Sequence, residues 1–399
     1  MPPRGVGNAA DPLPARAQPQ PRQNDADPMT VAIDTSSLSV PAQKILSGPP
    51  KLQEMAAKGV AIGVPPGDLI VVLAALTQSA EPGVADTARR TLDNLPAQVL
   101  SGALGANLQA AAIHEIATRN HDRIDVLGRL IAMPAIDIDT LLEVGKVCSE
   151  DASELLATNE ERLLSNPKLI EVLYLNKRTR MSTADRMIEL AVRNNVEVGL
   201  PAWKEAAAAI QNELIPEPTG ELSPDDVLFA QNLALAEAMR AQGEEIEDTH
   251  ELVGDEEEKV KDKYVPLFRE IAMMTTTQKI RLASVGTPEA IMILISDASP
   301  LVASAAAKSP NINEAVVEQV AKRRNIMADV LTSIGQRPEL LRRLSTKRDL
   351  MKNPKTPPSL ALKLINHFQA HELERMAGDR NVGGATRQLI KNHLERKKR

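Results

Sequence analysis

The chain has 399 residues, 43% of them apolar but only 2% aromatic, with 47 Lys or Arg against 53 Asp or Glu and a single cysteine. One cysteine excludes an internal disulfide, a cysteine-built zinc site and an iron–sulfur cluster. A core without aromatics must be aliphatic, and Leu, Ile, Val, Ala and Met suit packed helices better than sheets.

Residues 1–48 open with "MPPRGVGNAADPLPARAQPQPRQNDADP", rich in Pro, Ala, Gln and Asp. Such a segment buries too little to offset its ordering entropy, so a disordered tail is expected. It has no apolar h-region and does not look like a signal peptide. From 49 to 215 helical spacing dominates, and an N-terminal helical-repeat domain is expected. "GVAIGVPPG" (59–67) is Gly-rich but lacks a GKS/T ending and a preceding strand, which argues against a phosphate loop. "LIVVLAAL" (69–76) is the longest apolar run; eight residues fit a buried helix and cannot span a bilayer. In "IDIDT" (136–140), Asp137 or Asp139 is better placed to cap a helix than to hold a metal. Cys148 has no nameable base and reads as a buried structural thiol.

Residues 216–262 form a third part. "SPDDVLFAQNLALAEAMRAQ" (223–242) is a well-signalled helix: Ser223 caps it, Pro224 takes the first position, and Asp225 and Asp226 favour the positive end of the dipole. The acidic "GEEIEDTHELVGDEEEKVK" (243–261) then reads as a linker or mobile insertion, or as an internal screen folded back on the chain's own basic part.

The remainder, 263–399, is expected to be a basic C-terminal helical-repeat domain. Its clearest unit is "MKNPKTPPSLALKLINHF" (351–368). A helix ends before Lys352, Asn353 takes the left-handed position, and Pro354 stops the chain continuing. Thr356 caps the next helix and Pro357 begins it, with Leu360, Leu364 and Phe368 on the buried face. Similar junctions at Thr287, Ile312, Arg337, Thr356 and Val382 are 25, 25, 19 and 26 residues apart. A period near 25 in a helical chain signals a stacked solenoid. The first half echoes it: Asn176, Thr179 and Met187 stand as Asn353, Thr356 and Leu364 do. The expected fold is therefore all-α: two solenoid segments separated by an acidic linker.

"KSPNI" and "KNPKTPP" make residues 274–399 resemble leucine-rich-repeat-variant and HEAT-like helical repeats, and a longer pattern there resembles uncharacterised bacterial helical-repeat proteins. The resemblance implies architecture and no chemistry. Some leucine-rich-repeat-variant proteins carry an iron–sulfur cluster, and this chain lacks the cysteines for one.

No cofactor, metal or catalytic residue is expected. "HFQAH" (367–371) sets His367 and His371 one turn apart, but Phe368 stands where HExxH needs its glutamate. Charge is the remaining functional hint. Residues 276–399 hold 22 Lys or Arg against 11 Asp or Glu, in a chain whose net charge is −6. Lys322, Arg323, Arg324, Arg342, Arg343, Lys347 and Arg348 form the clusters most suited to binding a partner; the plain reading is a solvated face. The expected function is a non-enzymatic cytoplasmic scaffold that binds another protein. The alternative is nucleic-acid or other polyanion binding through the basic repeats, although Phe368 is the one aromatic in 276–399 on which a base could stack.

Overall fold

The computed structural model describes residues 33–211, 221–243, 246–253 and 257–398. Among them the chain is helical, from the six-residue Glu160–Ser165 to the eighteen-residue Pro224–Ala241, with one two-stranded hairpin. Prolines start many helices, as in Pro66–Leu76, Pro167–Leu175, Pro288–Leu294 and Pro358–Leu364, because the first turn needs no N–H from them. Ser149, Asn159, Ser223, Thr275, Thr287 and Asn313 cap others through side-chain oxygens.

The helices stack in two rows. One runs through Val40–Leu46, Pro66–Leu76, Ala110–Arg119, Ile138–Val147, Pro167–Leu175, Thr276–Val285, Pro300–Ala307, Ala328–Gly335, Pro358–Leu364 and Gly384–Lys398, each packed on the one before. The other runs through Ala97–Leu104, Ile124–Ile131, Glu150–Ala157, Met181–Arg193, Pro224–Ala241, Pro288–Leu294, Glu314–Lys322 and Leu344–Lys352. Alternation between rows makes the chain a helical solenoid whose aliphatic core forms one continuous cluster from Leu38 to Leu394.

Continuity corrects the expected division into two segments. Pro167–Leu175 packs directly on Thr276–Val285, and Trp203–Ile210 wedges against Thr276–Val285 and Pro300–Ala307. Within 216–262, the capped helix Pro224–Ala241 fills a place in the second row. The junction is fastened by Arg281, which is fully buried. Its guanidinium donates to the carbonyls of Tyr174 at 3.3 Å, Asn176 at 3.1 Å and Thr179 at 2.7 Å. It lies 4.7 Å from the centre of the Phe229 ring and 5.8 Å from that of Tyr174. Burial lowers its pKa to about 10, partly offset by nearby Tyr174, Asp185 and Asp226. A cation is favoured here because two of the carbonyls it meets, of Tyr174 and Asn176, lie at the C-terminal end of the Pro167–Leu175 helix.

The expected tail of 1–48 is too long. Residues 1–32 lie outside the described residues, but Val40–Leu46 is helical and buries Ala42 and Ile45. Apolar Leu38, Ala42 and Ile45 recur at i, i+4 and i+7 there, and Pro41 sits in the first turn. The acidic run is not a bare linker either: His250–Val253 and Glu257–Val260 pair antiparallel, His250 opposite Val260.

At 351–368 the buried face is as expected, with Leu360, Leu364 and Phe368 all buried. The junction chemistry differs. Asn353 is extended, at φ −65° and ψ 123°, rather than left-handed. Its side-chain nitrogen donates to Ala321 O at 2.9 Å and Arg323 O at 2.7 Å, and its oxygen accepts from Lys355 N. Extended geometry is what lets the amide reach the helix end one repeat earlier. Thr356 caps nothing ahead; its hydroxyl donates back to Leu350 O, and the helix begins at Pro358. Asn176 repeats the clamp on Gly145 O at 3.0 Å and Cys148 O at 3.1 Å, with Arg178 N donating to its oxygen. Cys148 is buried beneath it, and burial pushes its thiol up to about 11.

The intervals of 25, 25, 19 and 26 mix the two rows. Thr287 and Ile312 lead into second-row helices, whereas Thr356 and Val382 lead into first-row helices. Within the first row, helices start at Thr276, Pro300, Ala328, Pro358 and Gly384, so the spacing is uneven rather than a single period.

Candidate partner-binding surface

The seven basic residues singled out from the sequence do not form one free patch. Arg343 reaches Glu318 at 3.0 Å and Glu314 at 3.6 Å, Arg342 reaches Glu314 at 3.7 Å, and Lys322 reaches Glu318 at 3.4 Å. These three converge on two carboxylates of the helix Glu314–Lys322, Lys322 from the same helix and Arg342 and Arg343 from the turn before the next. Arg348 pairs with Glu372 at 2.7 Å, and Lys347 lies 3.4 Å from His367 Nδ1. Arg324 donates to Asn381 Oδ1 at 3.0 Å. Arg323 is buried, not a surface cation. It follows the end of Glu314–Lys322 and turns inward to donate to Met292 O at 2.8 Å and Ser296 Oγ at 2.9 Å. Its other nitrogens meet Asp248 and Thr249, so the acidic run touches the basic repeats at Arg323.

A different feature has the anatomy of a binding surface. A cleft of about 500 Å³ lies between the turns 149–151 and 177–181 and the start of Pro224–Ala241. Its floor is apolar: Met181 and Phe229 are buried, while Leu222 is 54% exposed and Val227 40% exposed. Its rim is charged. Arg180 pairs with Glu150 and Asp151, Arg178 with Asp122, and Lys177 with Glu237. An apolar centre inside a polar rim is how protein interfaces are built.

The floor is held in place by the capped helix. Ser223 and Asp226 form a capping box, and Asp226 is buried. Its carboxylate accepts from Ser182 N at 2.8 Å, Ser182 Oγ at 3.0 Å and Ser223 N at 2.9 Å. Burial works against the charge, but these donors outweigh it and hold the carboxyl below the usual range. The same box that starts the helix thereby ties it to Met181–Arg193. Leu222 stands at N′ and Val227 at N4, the positions of a hydrophobic staple. That spacing is the signal for this site in the sequence; the cap at Ser223 was legible there, the exposed Leu222 and Val227 beside it were not.

Among the described residues no three His, Cys, Asp or Glu converge to hold a metal ion. Among them, too, no helix is long and apolar enough to cross a membrane. The fold defines a class, an all-α helical solenoid. Compared with known proteins, the chain matches no family model, no curated protein and no solved structure.

Proposed function

We propose that the chain is a non-enzymatic, cytoplasmic scaffold of the HEAT-like or leucine-rich-repeat-variant kind, and that it binds another protein at the cleft beside Pro224–Ala241. The observation that carries the reading is the pair Leu222 and Val227, exposed on an apolar floor whose rim charges are already paired. Exposed aliphatic side chains on a rigid, capped helix offer apolar area with little further ordering to be done on binding. The paired rim contributes register more than affinity.

The test is affinity purification from the native host with mass spectrometry, comparing the wild type with Leu222→Asp/Val227→Asp, each with and without nuclease. Support is a set of partners that survives nuclease and is lost with the variant. An unchanged set, or one lost with nuclease alone, would overturn it. The alternative, polyanion binding through Lys322, Arg323, Arg324, Arg342, Arg343, Lys347 and Arg348, has less behind it, because Arg323 is buried and Lys322, Arg342, Arg343 and Arg348 are ion-paired.

A further inference from the structure

The turns that return from the second row to the first stack on one another along one edge of the C-terminal repeats. Asn353 donates to Arg323 O at 2.7 Å, joining the turn after Glu314–Lys322 to the turn after Leu344–Lys352. A Cβ on Gly383 would stand 3.0 Å from Pro354 O, so the turn after Ala370–Gly378 lies against the second of these. Arg324 reaches across to Asn381. Exposed on this edge are Arg324, Lys352, Lys355 and Arg380. Unlike Arg343 and Arg348, the last three stand in no ion pair among the described residues. The nearby Asp379 turns its carboxylate to Asn381 N at 2.9 Å.

The edge already holds one acidic segment. Asp248, from the chain's own acidic run, sits on Arg323 where the first of these turns begins. We infer that the edge is an interaction surface for an acidic, extended protein segment, with Lys352, Lys355 and Arg380 taking carboxylates as Arg323 takes Asp248. The dimensions agree. Stacked helices lie about 8–10 Å apart, and a chain extended as polyproline II rises about 3.1 Å per residue with about three residues per turn, so carboxylates at every third residue share one face and meet successive turns. Nucleic acid fits less well: between 321 and 383 the one aromatic side chain is Phe368, and it is buried.

The experiment uses the full chain and fluorescence anisotropy at low ionic strength, where charge pairing is least screened. The probes are a short labelled peptide with Glu at every third position, its Gln counterpart, a single-stranded RNA and a DNA duplex. The Glu peptide should bind and the Gln peptide should not. Lys352→Ala/Lys355→Ala/Arg380→Ala should weaken the Glu peptide about tenfold, as the loss of three exposed charge contacts implies, while melting with the wild type. Arg342→Ala/Arg343→Ala should leave it unchanged, because those guanidiniums are engaged by Glu314 and Glu318. Leu222→Asp/Val227→Asp should also leave it unchanged, which separates this edge from the cleft. No binding of the Glu peptide, equal binding by the triple variant, or tighter binding of RNA or duplex through the same three residues would overturn the inference.

Discussion

Arg281 concentrates more of the fold's logic than any other side chain. Replacing it with Met fills the space but strips the side-chain donor from the carbonyls of Tyr174 and Thr179, while Asn176 O keeps Thr179 N. Buried acceptors left without partners cost about 1–3 kcal/mol each, so Arg281→Met should destabilise by about 3 kcal/mol or more in urea unfolding. Arg281→Lys should recover little, since a single ammonium cannot span acceptors that a planar fork reaches together. A Met variant with the wild-type midpoint would show that the guanidinium does not hold the junction. His250 poses a second residue-scale test. Burial, then the charge of Arg323, lowers its pKa from 6.5 to about 4, partly offset by Asp248. The unfolded chain therefore binds the extra proton between those values, and stability falls as pH drops from 6.5 towards 4. Allowing for solvent screening, the loss by pH 5 is on the order of 1 kcal/mol. It should vanish in His250→Asn, as chemical unfolding at pH 7.5 and pH 5 would show.

At the scale of an element, the asparagine clamp ties a turn to the helix end one repeat earlier. Asn176→Ala and Asn353→Ala each orphan two carbonyls and a turn N–H, so each should cost about 2–3 kcal/mol. The two sites are remote and share no partner, so the double variant should lose about the sum of the two. Asn120 donates only to Ile116 O in its own helix, and Asn120→Ala should cost about 1 kcal/mol or less. Equal midpoints for the three single variants would remove the distinction. The likeness of Asn176 to Asn353 was legible in the sequence because both the amide and its following residues recur. Which row each junction serves was not, because a proline or capping residue announces a helix start identically on either side of the stack. The buried face of 360–368 was legible from spacing alone. The inward turn of Arg323 was not: its acceptors lie on Met292, Ser296 and Asp248, far off in sequence, and local charge density says nothing about them. The cleft was half legible, since the cap at Ser223 was read but the Asp226 half of the box and the exposed Leu222 and Val227 beside it were not.

Taken whole, the molecule has no seam at the acidic run. Thr276–Val285 buries residues against Pro167–Leu175 and Trp203–Ile210, so residues 263–399 expressed alone would expose that face and leave Arg281 without its carbonyls. The full chain should unfold in one main transition, and the isolated 263–399 should melt at a lower temperature with faster limited proteolysis. Two independent transitions matching two fragments would refute this. The near absence of aromatic residues has an optical corollary. Trp203 is the sole tryptophan, and it opens the very helix wedged into the junction. The protein thus carries its single tryptophan at the place where the two stretches of the solenoid meet. The colour of its emission during unfolding would tell whether the junction parts before, with or after the helices on either side, with no label added.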